Sequence, residues 1–249
     1  MSKQTVQIVL FIISSFFFAS CTNNETTDNT PTLSLTVQTK IGTTPLVFNT
    51  YNALPNGDSI LISRLDYYVS AFNCEESAGN IVQISSDIKL YSSASATNVF
   101  KYNIKYIPSK IGRISFLVGL DDITNNLNPT SFDASSPLST DKNMYWTAWT
   151  KYRYIVFNGS IKSSGVEYPF QYHTGLQYRD TTSLNTSIAV SQNTTAVMSL
   201  DIAKVFFPTS GNNILYKSGE LNAHGGISVE EVELSKKVAK NFSLAFSIE

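Results

Sequence analysis

The chain has 249 residues, of which 42% are hydrophobic and only 15% charged, enough apolar character for a core and too little charge for a disordered chain. Its formal net charge of −1 includes no basic stripe, which argues against nucleic acid as a partner. Two cysteines give no disulfide framework and no zinc-type spacing, and no glycine loop of phosphate-cradling type is present.

The first informative segment is the N-terminus. Lys3 supplies a positive charge, and Val6 to Ala19 is an apolar run broken only by Gln7, Ser14 and Ser15. Ala19-Ser20 then precedes Cys21. This is the shape of a secretory signal, too short for a spanning helix. The cysteine at its boundary resembles a lipobox, with Phe18 where Leu or Val is usual. Residues 1–20 are therefore expected to be a lipoprotein signal, with Cys21 lipidated and inserted in a bilayer; plain secretion with an incidental cysteine is the other reading. The polar stretch up to residue 32 reads as a tether, and 33–249 as one domain in the bacterial cell envelope. With Cys21 acylated, Cys74 would be the only free thiol, and beside Phe72 it reads as a small buried residue.

From Thr32 onward the chain alternates like strands. Leu33, Leu35 and Val37 alternate with polar residues. Asn56-Gly57-Asp58 marks a turn before a long run from Ser59 to Phe72. Strand patterns recur at 81–84, 88–91, 101–106 and 112–120, and a loop is expected from Asn125 to Pro137. Further strands are expected at 152–161, 168–172, 186–190, 196–202 and 243–248. Only Ser228 to Asn241 reads as helix: Ser228 and Glu231 form a capping-box pattern, and lysines lie late in the segment. Val232, Ser235, Ala239 and Phe242 would be its apolar face. The expected fold is all-β, an antiparallel β-sandwich with one short C-terminal helix.

The chemistry-bearing residues are few. Both tryptophans lie in Met144-Tyr145-Trp146-Thr147-Ala148-Trp149-Thr150-Lys151-Tyr152-Arg153-Tyr154, and the two histidines are His173 and His224. Core burial is the plain reading of Trp146. Tyr152 and Tyr154 share a strand face and either flank a groove or stabilise the sheet. Asp121 and Asp122 are adjacent, so on a strand they would point to opposite faces, a polar strand end rather than a catalytic pair. Neither histidine lies in a nucleophile motif, so no catalytic residues are expected and the protein is not expected to be an enzyme.

An ordered set of landmarks resembles the MbnP-like family of extracytoplasmic copper-binding proteins, associated with methanobactin. Ser63-Arg64-Leu65-Asp66-Tyr67-Tyr68-Val69-Ser70 resembles the family's early strand, and Ser115-Phe116-Leu117-Val118-Gly119-Leu120-Asp121 its Gly-Val-Asp strand. Met144-Tyr145-Trp146 resembles its Met-aromatic-Trp motif, and Phe170-Gln171-Tyr172-His173-Thr174-Gly175 its Phe-x-Tyr-His-x-Gly. Ala239, Asn241 and Phe246 resemble the closing segment. Tyr145 stands where copper-binding members tend to have histidine, and Lys151 stands where glycine is expected.

The resemblance implies copper as the bound metal, with His173 and His224 as imidazole ligands and Met144 and Tyr145 as weaker candidates. It implies that Trp146 is the tryptophan open to oxidation, and that a di-haem peroxidase-like partner performs it. The function so implied is a membrane-anchored protein for copper acquisition, buffering or delivery. The alternative is a metal-free β-sandwich lipoprotein that holds a glycan, peptide or protein on an open patch including Trp149, Tyr152 or Tyr154. Convergence of the two histidines near Trp146 would favour the first reading.

Overall fold

The computed structural model describes residues 30–147, 151–210, 212–224 and 228–249. The expected signal segment, Cys21 and the tether up to residue 29 lie outside the described residues, as does Trp149.

Two β-sheets form the body. The first is built on β1 (Thr32–Ile41), whose neighbours are β13 (Asn193–Asp201) along one edge and β2 (Thr44–Pro45) and β7 (Val99–Asn103) along the other, with β15 (Phe246–Ile248) beyond β13. The second runs in the order β12 (Asp180–Ala189), β8 (Lys110–Val118), β4 (Ser59–Glu76), β10 (Lys151–Ser163), β11 (Val166–Gly175) and β14 (Asn222–Ala223). The short strands β3 (Tyr51–Ala53), β5 (Ile81–Val82) and β6 (Lys89–Ser92) pair with β4, and β9 (Tyr145–Trp146) pairs with β10.

The expectation of a purely antiparallel sandwich needs correction. β1 and β13 are parallel, with Leu35 opposite Ala196, and β11 and β14 are parallel, with Gln171 opposite Asn222. Alternation within a strand reports which face is buried and says nothing of its partner's direction. The helix content is also larger than one short C-terminal element. Helices α1 (Asp122–Asn125) and α2 (Ile202–Phe206) precede a full α3 (Val229–Leu244). Asp121 is the N-cap of α1, accepting from the Thr124 N–H at 2.8 Å, and Asp201 caps α2 in the same way. The adjacent aspartates are thus a cap and a first-turn residue rather than a strand end. In α3 the Ser228 hydroxyl accepts from the Glu231 N–H, as the capping pattern predicted. Leu234 and Val238 join Ser235, Ala239 and Phe242 on its buried face, while Val232 stays half-buried.

The inner faces of the two sheets, with α2 and α3, enclose the main core. Leu33, Leu35, Leu65, Tyr67, Phe116, Phe157, Tyr172, Phe206 and Phe242 are all buried there. Ring contacts knit it: Phe242 lies 5.4 Å from Tyr67 and 6.0 Å from Phe157, both edge to face. Cys74 is buried in this core, and burial pushes its thiol up to about 12, as suits a packing residue rather than a nucleophile. Between Asn158 and Gly159 the β10–β4 register slips by one. A Cβ on Gly159 would sit 2.1 Å from the Leu61 carbonyl oxygen, so the close approach at this bulge admits only glycine.

The outer face of the second sheet carries a smaller core. The connection from Gly119 to Trp146 folds over it and buries Tyr68, Leu120, Leu138, Met144, Tyr152, Tyr154 and Val156. This connection contains the loop expected from Asn125 to Pro137, yet it is tied down at several points. Tyr68 donates to the Pro137 carbonyl at 3.0 Å, Tyr152 to the Leu138 carbonyl at 2.9 Å, and the Tyr152 N–H to Asn125 Oδ1 at 3.1 Å.

Candidate metal centre

The two histidines are 51 positions apart in sequence and meet through strand register. β14 pairs with β11 so that Asn222 faces Gln171 and Ala223 faces Tyr172. One further step sets His224 beside His173. The imidazole centres lie 4.9 Å apart and the rings are nearly perpendicular, at 88°. Across the neighbouring strand pair Val156 faces His173 and Asn158 faces Gln171, so Asn158, Gln171 and His173 share the outer face.

Both rings are held by side-chain amides. His173 Nε2 is 2.8 Å from Asn158 Oδ1, and His224 Nε2 is 3.3 Å from Gln171 Oε1. With Nε2–H donating to the Asn158 amide oxygen, His173 Nδ1 keeps its lone pair. That nitrogen is buried and has no hydrogen-bond partner among the described residues. His173 is 7% exposed, and burial pulls its pKa down to about 3, with Arg153, His224 and Arg64 adding to the depression. The ring is therefore neutral at physiological pH. A neutral imidazole with one nitrogen tied to an amide and the other free is the form that takes a metal ion.

Trp146 completes the group. Its ring centre is 6.4 Å from that of His224, edge to face, and the side chain is 37% exposed. The expectation that Trp146 is a core residue is thus wrong: β9 is a two-residue strand at the rim, and the buried residue of the motif is Met144. Tyr145 stacks edge to face on Tyr152 at 4.9 Å. The Met144 thioether lies 3.8 Å from an Arg64 guanidinium nitrogen. Tyr152 and Tyr154 are fully buried in the outer core, so they form no open aromatic patch. Trp149, Gly225 and Gly226, which follow the site residues closely in sequence, lie outside the described residues.

A model of the MbnP family matches residues 30–223 of this sequence. The chain belongs to the MbnP family. His173 and Trp146 fall inside the matched span and His224 directly after it. Among solved structures, MbnP from Methylosinus trichosporium is similar at a TM-score of 0.52, with 11% sequence identity, covering 80% of this chain and 82% of that one. At that identity the likeness speaks for the fold. No curated protein matches the sequence. Lys151, where the resemblance led to glycine being expected, has φ of 62°, the left-handed conformation that glycine enters freely and lysine at a cost of about 1–2 kcal/mol.

A metal can be tested against these residues directly. Among the described residues no group of three from His, Cys, Asp and Glu converges. What converges is an imidazole pair, and metal–nitrogen bonds of about 2 Å are within reach of two rings this close. The residues fit an ion that accepts two nitrogen donors and takes further ligands from solvent or from its source. Asn158 and Gln171 were not among the site residues expected from the sequence. The signal available was register: each sits two strand positions, or one strand over, from a histidine.

Proposed function

We propose that the chain is an extracytoplasmic copper-binding protein, anchored to the cell envelope through Cys21, that acquires, buffers or delivers copper through His173 and His224. The observation that carries the reading is the unpartnered, buried Nδ1 of a neutral His173 beside a second imidazole. Imidazole suits copper among the first-row metals. Membership of the MbnP family supports the same reading. Two protein donors leave the ion open to exchange, which suits cargo better than a permanent cofactor. A di-haem peroxidase-like partner acting on Trp146 belongs to this proposal and is supported by the exposure of that ring beside His224. Among the described residues no helix is long and apolar enough to cross a membrane.

Copper titration of the full-length protein, alongside His173→Ala and His224→Ala, tests the proposal. One copper per chain is expected, with affinity falling at least tenfold in either variant. Absent binding, or binding indifferent to both histidines, would overturn it.

A further inference from the structure

One end of the sandwich brings together the entry of the chain into the domain and an exposed apolar tip. Thr32, at the start of β1, lies opposite Asn103 at the end of β7 and opposite Asn193 at the start of β13. The Pro31 carbonyl accepts from the Ile104 N–H at 2.7 Å, and the Thr32 N–H donates to the Gln192 carbonyl at 2.9 Å. The chain therefore enters the domain beside the connection from β7 to β8, which reads Lys105-Tyr106-Ile107-Pro108-Ser109-Lys110. Tyr106 is 42% exposed and Ile107 47%, and the Tyr106 hydroxyl donates at 3.3 Å to the carbonyl of Ile81, itself 68% exposed. Three large apolar side chains thus stand in water at one corner, with Lys105 and Lys110 exposed on either side. Of the carboxylates at this end, Glu75 is paired with Arg113 and Glu76 accepts from the Asn80 amide at 3.1 Å. Lys105 and Lys110 have no ion-pair partner among the described residues.

An aromatic and aliphatic tip flanked by lysines has the composition of a membrane-interface surface. A tyrosine ring suits the headgroup level and an aliphatic side chain the acyl boundary, while lysine stems cover apolar surface and turn their ammonium groups to anionic headgroups. The path of the chain points to the same occupant. Eight residues, 22–29, separate Cys21 from Thr30. Fully extended they reach about 30 Å, less than the diameter of roughly 45 Å of a domain this size. A domain anchored at Cys21 therefore cannot turn its far end to the bilayer, and the end carrying the tip stays within reach of it. Tethering also raises the effective concentration of the tip at the lipid surface, so a contact too weak to hold a free protein becomes populated.

Resting on the anchoring of Cys21 proposed above, we infer that Ile81, Tyr106 and Ile107, flanked by Lys105 and Lys110, make a second contact with an anionic lipid surface and fix how the domain stands on it. The contact also places the imidazole pair. His173 lies opposite Val156, and Val156 opposite Asp66, ten positions along β4 from Glu76 at the lipid end. Ten strand positions span about 30 Å, so the histidines are held clear of the headgroups and open to the aqueous side.

The test uses the full-length lipidated protein in vesicles of phosphatidylcholine and phosphatidylglycerol that carry a nitroxide-labelled lipid as quencher. A fluorophore is placed on Ser109→Cys, beside the tip, or on Thr43→Cys, between β1 and β2 at the other end; Cys74 is buried and stays unlabelled. Quenching at position 109 should exceed that at position 43 by at least about threefold, as insertion about 5–10 Å into the interface requires. Tyr106→Ser with Ile107→Ser should bring position 109 down to the level of position 43. Lys105→Glu with Lys110→Glu reverses the charge of exposed side chains without touching the core, and should lower quenching at position 109 at least about twofold at low salt. If both positions are quenched alike while the protein stays on the vesicles, the domain hangs free on its tether, so the inference falls and the anchor stands. Quenching at position 109 that neither double variant lowers overturns it too, because another surface then makes the contact. So does an unquenched position 109 that crosslinks to its counterpart in a second copy, with the crosslink lost in Tyr106→Ser with Ile107→Ser. If mass spectrometry finds Cys21 unmodified and the protein leaves the vesicles, the anchoring reading itself fails and takes this one with it.

Discussion

The two faces of the larger sheet are buried by different means. The inner face meets the other sheet and α3 through apolar side chains, and its aromatic residues touch one another: Phe157 contacts the rings of Phe170, Tyr172, Phe206 and Phe242. Buried Tyr67, and Tyr102 from the facing sheet, leave their hydroxyls without hydrogen-bond partners among the described residues, while Tyr172 donates to the Glu220 carbonyl at 2.7 Å. The outer face is covered by one connecting segment, and its tyrosines are tethered: Tyr68 and Tyr152 each donate to a main-chain carbonyl of that segment. Arg64 and Arg153 do the same at Asn143. Apolar packing is non-directional and scales with area, whereas a hydrogen bond fixes an orientation and contributes about 1 kcal/mol net. The inner face thus supplies stability and the outer face supplies position, and the histidine pair lies on the outer side.

The largest expected effect breaks the inner face. Phe157→Ala removes the ring that joins β10 to β11, α2 and α3, and should cost about 3–5 kcal/mol. Urea denaturation followed by circular dichroism measures it as a fall in midpoint at constant slope. A loss below about 1 kcal/mol would mean that the ring cluster is not the stabilising centre.

The second effect separates the faces. Leu138 is buried only against the outer cluster, and its carbonyl receives the Tyr152 hydroxyl. Leu138→Ala should cost about 2–3 kcal/mol. Much of that loss should appear as local opening, because a single covering segment can detach while the sheets stay paired. Amide exchange should quicken in residues 122–146 and remain slow in β4 and β10. Equal acceleration in both regions would show that the covering segment unfolds only with the whole domain.

The difference between faces also explains what could be read from the sequence. The longer strands, the Ser228 cap and the burial of Cys74 follow from local alternation and side-chain chemistry and appear about where expected, whereas residues 243 and 244, expected as strand, complete α3, and the short β2, β3, β9 and β14 carry too few residues to show a pattern. The parallel pairing of β1 with β13 is a long-range choice that leaves no mark on either strand. The covering segment looked like a loop because its polar residues are loop residues: Asp121, Asn128 and Ser139 cap short helical turns there. The MbnP resemblance brought His173, His224 and Trp146 forward as a group. Nothing in the spacing of Trp146 revealed that it lies at a rim, because the decisive fact is that β9 is only two residues long. Asn158, Gln171 and Arg153 needed the register of three strands before they could be associated with the histidines.

The smallest effect uses pH to sense the outer face. Folding leaves His173 neutral with its pKa near 3, whereas in the unfolded chain it titrates near the ordinary value of about 6.5. Between these values the unfolded state binds a proton that the folded state does not, so stability rises with pH. The contribution is fully present well above pH 6.5 and is lost as pH falls through it, by up to about 1.4 kcal/mol per pH unit and by about 2 kcal/mol between pH 6.5 and pH 4.5. Asp58 acts in a lower window. Burial works to raise its pKa, but hydrogen bonds from Ser163, Tyr216 and Lys217 outweigh this and hold it at about 2. Its stabilisation is present above the ordinary carboxylate value of about 3.9 and is lost only as pH falls toward 2. Comparing wild type with His173→Gln between pH 7 and pH 4.5 therefore isolates the histidine. The wild type should lose stability with falling pH and the variant should lose distinctly less. Parallel curves would mean that His173 takes up its proton in the folded state, which requires the outer face to open around it and would make that face a mobile cover rather than a fixed frame for the imidazole pair.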